Sequence, residues 1–135
     1  MGQHILAKGL DWFKQQGWTP FQFQLDTWNH YLKGKSGLVN APTGSGKTYS
    51  LVVPILLEFI HENKNSKKRK SIQGPSAIWI TPIRALGKEI ELSANRAVTG
   101  MEVPWKVAVR SGDTSVKERQ RQKEKPPDFL ITTPE

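Results

Sequence analysis

Residues 41–48 read APTGSGKT, set between the apolar run Gly37–Val39 and an amphipathic segment that begins at Lys47. Several backbone N–H groups can converge on one anion only where glycines remove the side chains that would block the approach. Gly44 and Gly46 supply that freedom. The pattern predicts a strand, a phosphate-binding loop and a helix in succession, with a nucleoside triphosphate as ligand. Ala41, Pro42, Thr43, Gly44, Ser45, Gly46, Lys47 and Thr48 form the expected cradle. Lys47 and Thr48 are its catalytic candidates: the lysine is placed to reach the β- and γ-phosphates, the hydroxyl to bind Mg²⁺. The helix N-terminus adds unpaired donors and a favourable dipole. Ala41 stands where the strict pattern has Gly, and the looser pattern would arise by accident in roughly one chain in a hundred of this length. The surrounding strand and helix therefore complete the identification.

The chain has 135 residues, enough for one ordinary core and too few for two sizeable ones. A net charge of +8 favours an anionic partner, nucleic acid foremost. Lys64, Lys67, Lys68, Arg69 and Lys70 are interspersed with Asn and Ser, which reads as a solvated loop. There are no cysteines, so disulfides, thiolate metal sites and a cysteine nucleophile are excluded. His4, His30 and His61 show no metal-ligand spacing, and no metal is expected beyond nucleotide-bound Mg²⁺. The longest apolar run, Leu51–Ile60, is interrupted by Pro54 and Glu58. A soluble, cytoplasmic protein with no membrane contact is expected.

Ile5, Leu6, Leu10 and Phe13 recur at helical intervals before Gly17, and Leu25, Trp28 and Leu32 form a stripe on a second helix, Gln22–Lys33, closed by Gly34. Short apolar runs then alternate with helical stretches. Strands are predicted at Gly37–Ala41, Ala77–Thr81, Trp105–Arg110 and Asp128–Thr132, and helices at Lys47–Glu62, Ile83–Val98 and Ser115–Lys123. Such alternation argues an α/β fold with a parallel sheet covered on both faces. In these sheets ligands bind beyond the carboxyl ends of the strands. The unusual residues all fall there: the phosphate loop, Thr81-Pro82, Ser111-Gly112-Asp113 and Thr133-Pro134.

Taken in order, GWTPFQFQLDTW (Gly17–Trp28), SGLVNAPTGSGKTYS (Ser36–Ser50), ITPIRALGKEI (Ile80–Ile90), VRSGDTS (Val109–Ser115) and FLITTPE (Phe129–Glu135) resemble the N-terminal RecA-like domain of superfamily 2 DEAD/DExH-box helicases. The likeness is greatest to the ligase-associated DExH-box DNA helicases of bacteria, and it covers nearly the whole chain. It implies a RecA-like P-loop NTPase fold, a three-layer sandwich with a mostly parallel sheet, incomplete at the C-terminus. Residues 1–35 would be N-terminal helices carrying the Q motif, and residues 36–135 part of the first ATP-binding domain. Gln24, 23 residues before Lys47, matches the Q-motif glutamine, whose amide faces the adenine edge. An amide can donate to N7 and accept from N6, which favours ATP over GTP. Trp18, Phe21 and Phe23 read as packing residues for that helix. Pro54 stands where helicases of this superfamily often carry a proline. Thr81, Pro82 and Arg84 match motif Ia, and Thr132, Thr133 and Pro134 match motif Ib, both of which hold the sugar-phosphate backbone of one strand. Ser111 and Gly112 match a turn that approaches that strand closely. Hydroxyls, amides and an arginine read charge and shape, not base identity. Lys117, Arg119, Arg121, Lys123 and Lys125, diluted by Glu118 and Glu124, read as a solvated helix face.

No DExx sequence occurs in the chain. The resemblance puts those acids, a second RecA-like domain and its arginine fingers beyond Glu135, so a chain truncated there would lack competent catalysis. The expected function is the N-terminal portion of an ATP-dependent DNA helicase or translocase that binds ATP-Mg²⁺ and single-stranded nucleic acid, DNA by family likeness, with DNA ligase association possible on the same ground. Two alternatives stay open: a non-catalytic nucleotide or nucleic-acid binding fragment, and a phosphate-loop protein of another class.

Overall fold

The periodicities are realised in the computed structural model as α1 (Gly2–Gln15), α2 (Gln22–Leu32), α3 (Lys47–Lys64), β1 (Ala77–Ile80), α4 (Arg84–Gly100), β2 (Val107–Arg110), α5 (Val116–Glu124) and β3 (Phe129–Thr132). Residues 2–42, 46–64, 74–82 and 84–134 are described, with the side chains of residues 2–4, 64 and 84 outside that description. The chain divides into two compact units, Met1–Arg69 with Ala97–Val103, and Lys70–Arg96 with Pro104–Glu135.

In the first unit, α1 and α2 end where glycine allows a left-handed backbone. Gly17 has φ 79° and Gly34 φ 80°. Each lets the chain turn back on its helix: Trp18 N–H donates to the Phe13 carbonyl and Lys35 N–H to the His30 carbonyl, the paired closure of a Schellman end. Trp12, Phe13, Trp18, Trp28 and Tyr49 then form an aromatic cluster, mostly edge to face, with ring centroids 5.2–6.1 Å apart. That geometry sets positive ring edges against negative faces. Helix α3 contributes Val52, Val53, Leu56 and Leu57, all buried. Its fully buried Pro54 removes one helical N–H. Helix α1 passes close to α3 at Gly9, where a Cβ would lie 2.8 Å from Val53 Cγ1. At Gly100 a Cβ would fall inside the Trp12 indole, so only glycine fits there without a shift.

The second unit holds a three-stranded parallel sheet in the order β1-β3-β2 among the described residues. Central β3 buries Phe129 and Ile131 completely, and Trp79 stacks near Phe129 on the same face. Helix α4 approaches this face at Gly87, where a Cβ would sit 3.6 Å from Val109 and 3.9 Å from Ile131. The opposite face is open at β1, where Ile78 and Ile80 are 60% and 64% exposed.

The strand expected at Gly37–Ala41 does not form. Residues 35–42 follow irregular backbone, and Leu38 is 93% exposed. A strand exists through its ladder partners, and the ladder bonds here all run among β1, β3 and β2. Apolar composition alone gains nothing when no neighbour covers the side chain.

Candidate nucleotide and nucleic-acid sites

Gln24 occupies the first turn of α2, where helices leave N–H groups without partners. Its Oε1 accepts the Phe21 N–H at 2.8 Å, and its Nε2 donates to the Gly46 carbonyl at 3.0 Å. The amide thus ties the start of α2 to the end of the phosphate loop. Gly46 has φ 83°, and a Cβ there would lie 2.6 Å from Gln24 Nε2, so both conformation and space require glycine. Gln24 is 3% exposed. The sequence placed this amide toward an adenine, whereas the structure places it first against the loop backbone. One N–H and one lone pair remain uncommitted by these two bonds.

A second tie reinforces the first. Trp28 Nε1 donates to the Tyr49 carbonyl at 3.0 Å, fixing α2 to the opening turn of α3. Ser50 Oγ donates to the Lys47 carbonyl. Lys47 is exposed and Thr48 half-buried in that turn, whose N–H groups lack helical acceptors. Ala41 is half-buried and Pro42 exposed on the approach, while Thr43, Gly44 and Ser45 lie outside the described residues. A glycine held in left-handed backbone, a helix N-terminus, an exposed lysine and a hydroxyl beside it form a donor set that fits a magnesium-bound polyphosphate.

In the second unit the parallel register aligns the strand ends. Ile80, Thr132 and Arg110 are cross-strand partners, so Thr81, Thr133 and Ser111 follow side by side on one edge. Thr81 N–H donates to the Thr132 carbonyl at 2.9 Å, and Thr132 Oγ1 donates to the Arg110 carbonyl at 2.8 Å. The residues matched to two separate motifs are therefore joined in one row. Not all present the groups expected of them. Thr81 and Thr133 are buried at 3% and 6% exposure, and the Thr132 hydroxyl is engaged across the sheet. Pro82, Gly112 and Pro134 are exposed and Ser111 half-buried. Arg84 opens α4, its side chain outside the described residues.

Lys117, Arg121, Lys123 and Lys125 stand exposed, as expected of a solvated helix face, but α5 also has an inward face that includes Arg119. Arg119 Nη2 donates to the Ser111 carbonyl at 2.8 Å and Gln122 Nε2 to the Val109 carbonyl at 3.1 Å. Gln122 is 5% exposed. Hydropathy could not single out this inward face, because it is as polar as the rest of the helix. The only available signal was the spacing of Ser115, Arg119 and Gln122 on one stripe.

A groove of about 350 Å³ beside α2 is lined by Thr27, Tyr31, Val39 and Leu51 among others, and includes none of the expected site residues. Among the described residues no group of three or more His, Cys, Asp or Glu could hold a metal ion, and no helix is long and apolar enough to cross a membrane.

Comparison with known proteins bears on the family and the fold. Residues 21–135 match the family described as DEAD/DEAH box helicase. The chain is 34% identical over 139 residues to the Lhr helicase/uracil glycosylase of Escherichia coli, covering 93% of this chain and 9% of that protein. It is 38% identical over 112 residues to the ATP-dependent helicase Lhr-Core of Methanothermobacter thermautotrophicus, covering 76% and 13%. The solved structure of Mycobacterium smegmatis helicase Lhr bound to ssDNA and AMP-PNP superposes with a TM-score of 0.74 at 30% identity, over 95% of this chain and 17% of that one. The chain thus spans a small fraction of the length of these relatives. The RecA-like α/β fold, the helicase order of the motifs and the family match over most of the sequence converge: the chain belongs to the DEAD/DEAH box helicases.

Proposed function

We propose that this chain is the N-terminal portion of an ATP-dependent DNA helicase or translocase, holding ATP-Mg²⁺ at the loop that ends in Lys47 and Thr48 and one nucleic-acid strand along the strand ends of its sheet. The observation that carries the reading is the Gln24 bond to Gly46, which brings a sequence-distant glutamine onto the phosphate loop. Lys47 would neutralise the β- and γ-phosphates, Thr48 would hold Mg²⁺, and the α3 N-terminus would direct first-turn N–H groups at the same oxygens. Mg²⁺ held there would supply charge neutralisation to the triphosphate. Gln24 would use its remaining donor and acceptor on adenine. DNA as the strand is favoured by the likeness to a helicase Lhr solved with ssDNA and AMP-PNP. Contacts through Ser111, Gly112, Pro82 and Pro134, with Arg84, would be to the backbone, which permits movement without sequence preference.

Titration with a fluorescent ATP analogue in the presence of Mg²⁺ tests the assignment. Lys47→Ala is expected to weaken binding by at least about tenfold, as loss of a charge-assisted contact of about 1.5–3 kcal/mol requires. Retained affinity in a folded Lys47→Ala variant, or preference for the GTP analogue, would overturn it.

A further inference from the structure

The turn after β2 is bonded from within and from beneath. Ser111 N–H donates to Thr114 Oγ1 at 2.9 Å, Thr114 N–H returns to the Ser111 carbonyl at 3.1 Å, and Asp113 N–H donates to Ser111 Oγ at 3.3 Å. Among the described residues strand β2 lies at an edge of the sheet, where outward carbonyls have no strand partner. There the Val109 carbonyl receives Gln122 Nε2 and the Thr114 hydroxyl, so α5 and the turn take the place of a missing strand. Arg119 adds a guanidinium to the Ser111 carbonyl from the helix side. No carboxylate pairs with Arg119 among the described residues; its neighbour Glu118 pairs with Arg121 at 3.4 Å. Arg119 Nε is buried without a partner. With water partly excluded and no counter-charge, the bond to Ser111 is charge-assisted and strong for its kind. These bonds leave the Gly112 N–H unused on the exposed side of the turn.

We infer that Arg119 and Gln122 are positioning residues that hold the Ser111–Thr114 turn in the shape that grips a nucleic-acid backbone. The inference rests on the strand-end reading above. Arg119 does its work through Ser111 and touches no phosphate. Its loss lets the turn relax, and the Gly112 amide and Ser111 hydroxyl no longer meet a backbone oxygen together.

Binding of a fluorescein-labelled oligothymidylate by the chain, followed by anisotropy over a series of salt concentrations, tests this. Arg119→Ala is expected to weaken binding about tenfold, in proportion to one charge-assisted hydrogen bond, with the slope of log K against log salt unchanged. A side chain that contacts phosphate directly would instead lower that slope by about 0.7. Hydrogen exchange of the amides at residues 111–114 should accelerate in the variant while affinity for the ATP analogue stays constant. Arg119→Lys, which keeps one charged donor, should recover part of the loss, and Gln122→Ala should reproduce it more weakly. If Arg119→Ala fails to fold, the latter two variants carry the comparison. Unchanged oligonucleotide affinity in the variants, or a reduced salt slope, overturns the positioning role alone. A parent chain that holds the ATP analogue but no oligonucleotide overturns the strand-end reading and this role with it.

Discussion

Gln24 commits both ends of its amide to backbone, accepting from Phe21 and donating to Gly46. Its observed bonds therefore bear on the backbone that leads into α2 and α3. Replacing Nε2 with a carboxylate oxygen would set two acceptors face to face in a site where Gln24 is 3% exposed. Leaving a buried acceptor unsatisfied costs about 1–3 kcal/mol. Gln24→Glu should consequently weaken the ATP and GTP analogues together, by about tenfold, in parallel fluorescence titrations; loss confined to ATP would mean that the amide acts on adenine alone. The residue was legible because the interval to Lys47 matched a motif. Its bond to Gly46 was not, since spacing along a chain does not say which carbonyl lies opposite a side chain.

At the scale of elements, α2 and α3 meet through a polar pair, Tyr31 and Glu58, in addition to the Trp28 bond to the Tyr49 carbonyl. The Tyr31 hydroxyl faces Glu58, whose carboxyl is raised above its ordinary range by burial first and by the Glu62 charge second, with the Tyr31 hydroxyl acting in the opposite direction. Tyr31 is itself raised, by burial and then by the Glu58 charge. A carboxyl raised in the fold favours folding while protonated, and that contribution is lost as pH rises through its folded value. Glu58→Gln removes the titration while keeping an acceptor for Tyr31. The difference in melting temperature, variant minus parent, should be small in acid, grow positive as pH rises above ordinary carboxyl values, and level off once the folded carboxyl has ionised. A difference that is flat with pH would contradict the shift. The helix limits were readable from Gly17 and Gly34, because few residues other than glycine occupy positive φ without strain. The inward face of α5 was hidden, because Arg119 and Gln122 reach inward to backbone carbonyls and leave no apolar stripe to detect.

For the molecule as a whole, the sheet carries its burden on one face. Phe129, Ile131 and Trp79 share the face that α4 approaches at Gly87, whereas Ile78 and Ile80 stand largely in solvent. Exposed apolar side chains on a strand at a sheet edge promote association between copies. Ile78→Thr combined with Ile80→Thr should increase the soluble fraction on expression while changing the urea midpoint little; a large loss of stability would show that these side chains are covered in solution. The alternation of helices and strands determined the α/β class and the parallel sheet, since each period reflects only how a residue's neighbours along the chain present it to one side. The APTGSGKT motif marked the expected phosphate loop for the same local reason, though Thr43, Gly44 and Ser45 lie outside the described residues. Only the tertiary structure decided that Gly37–Ala41 would stay outside the sheet, that the Gln24 amide would fasten the loop, and that Arg119 would lie beneath the Ser111 turn. Each of those outcomes depends on a partner distant in sequence, and hydrogen bonding or burial exists only once that partner has been brought into contact.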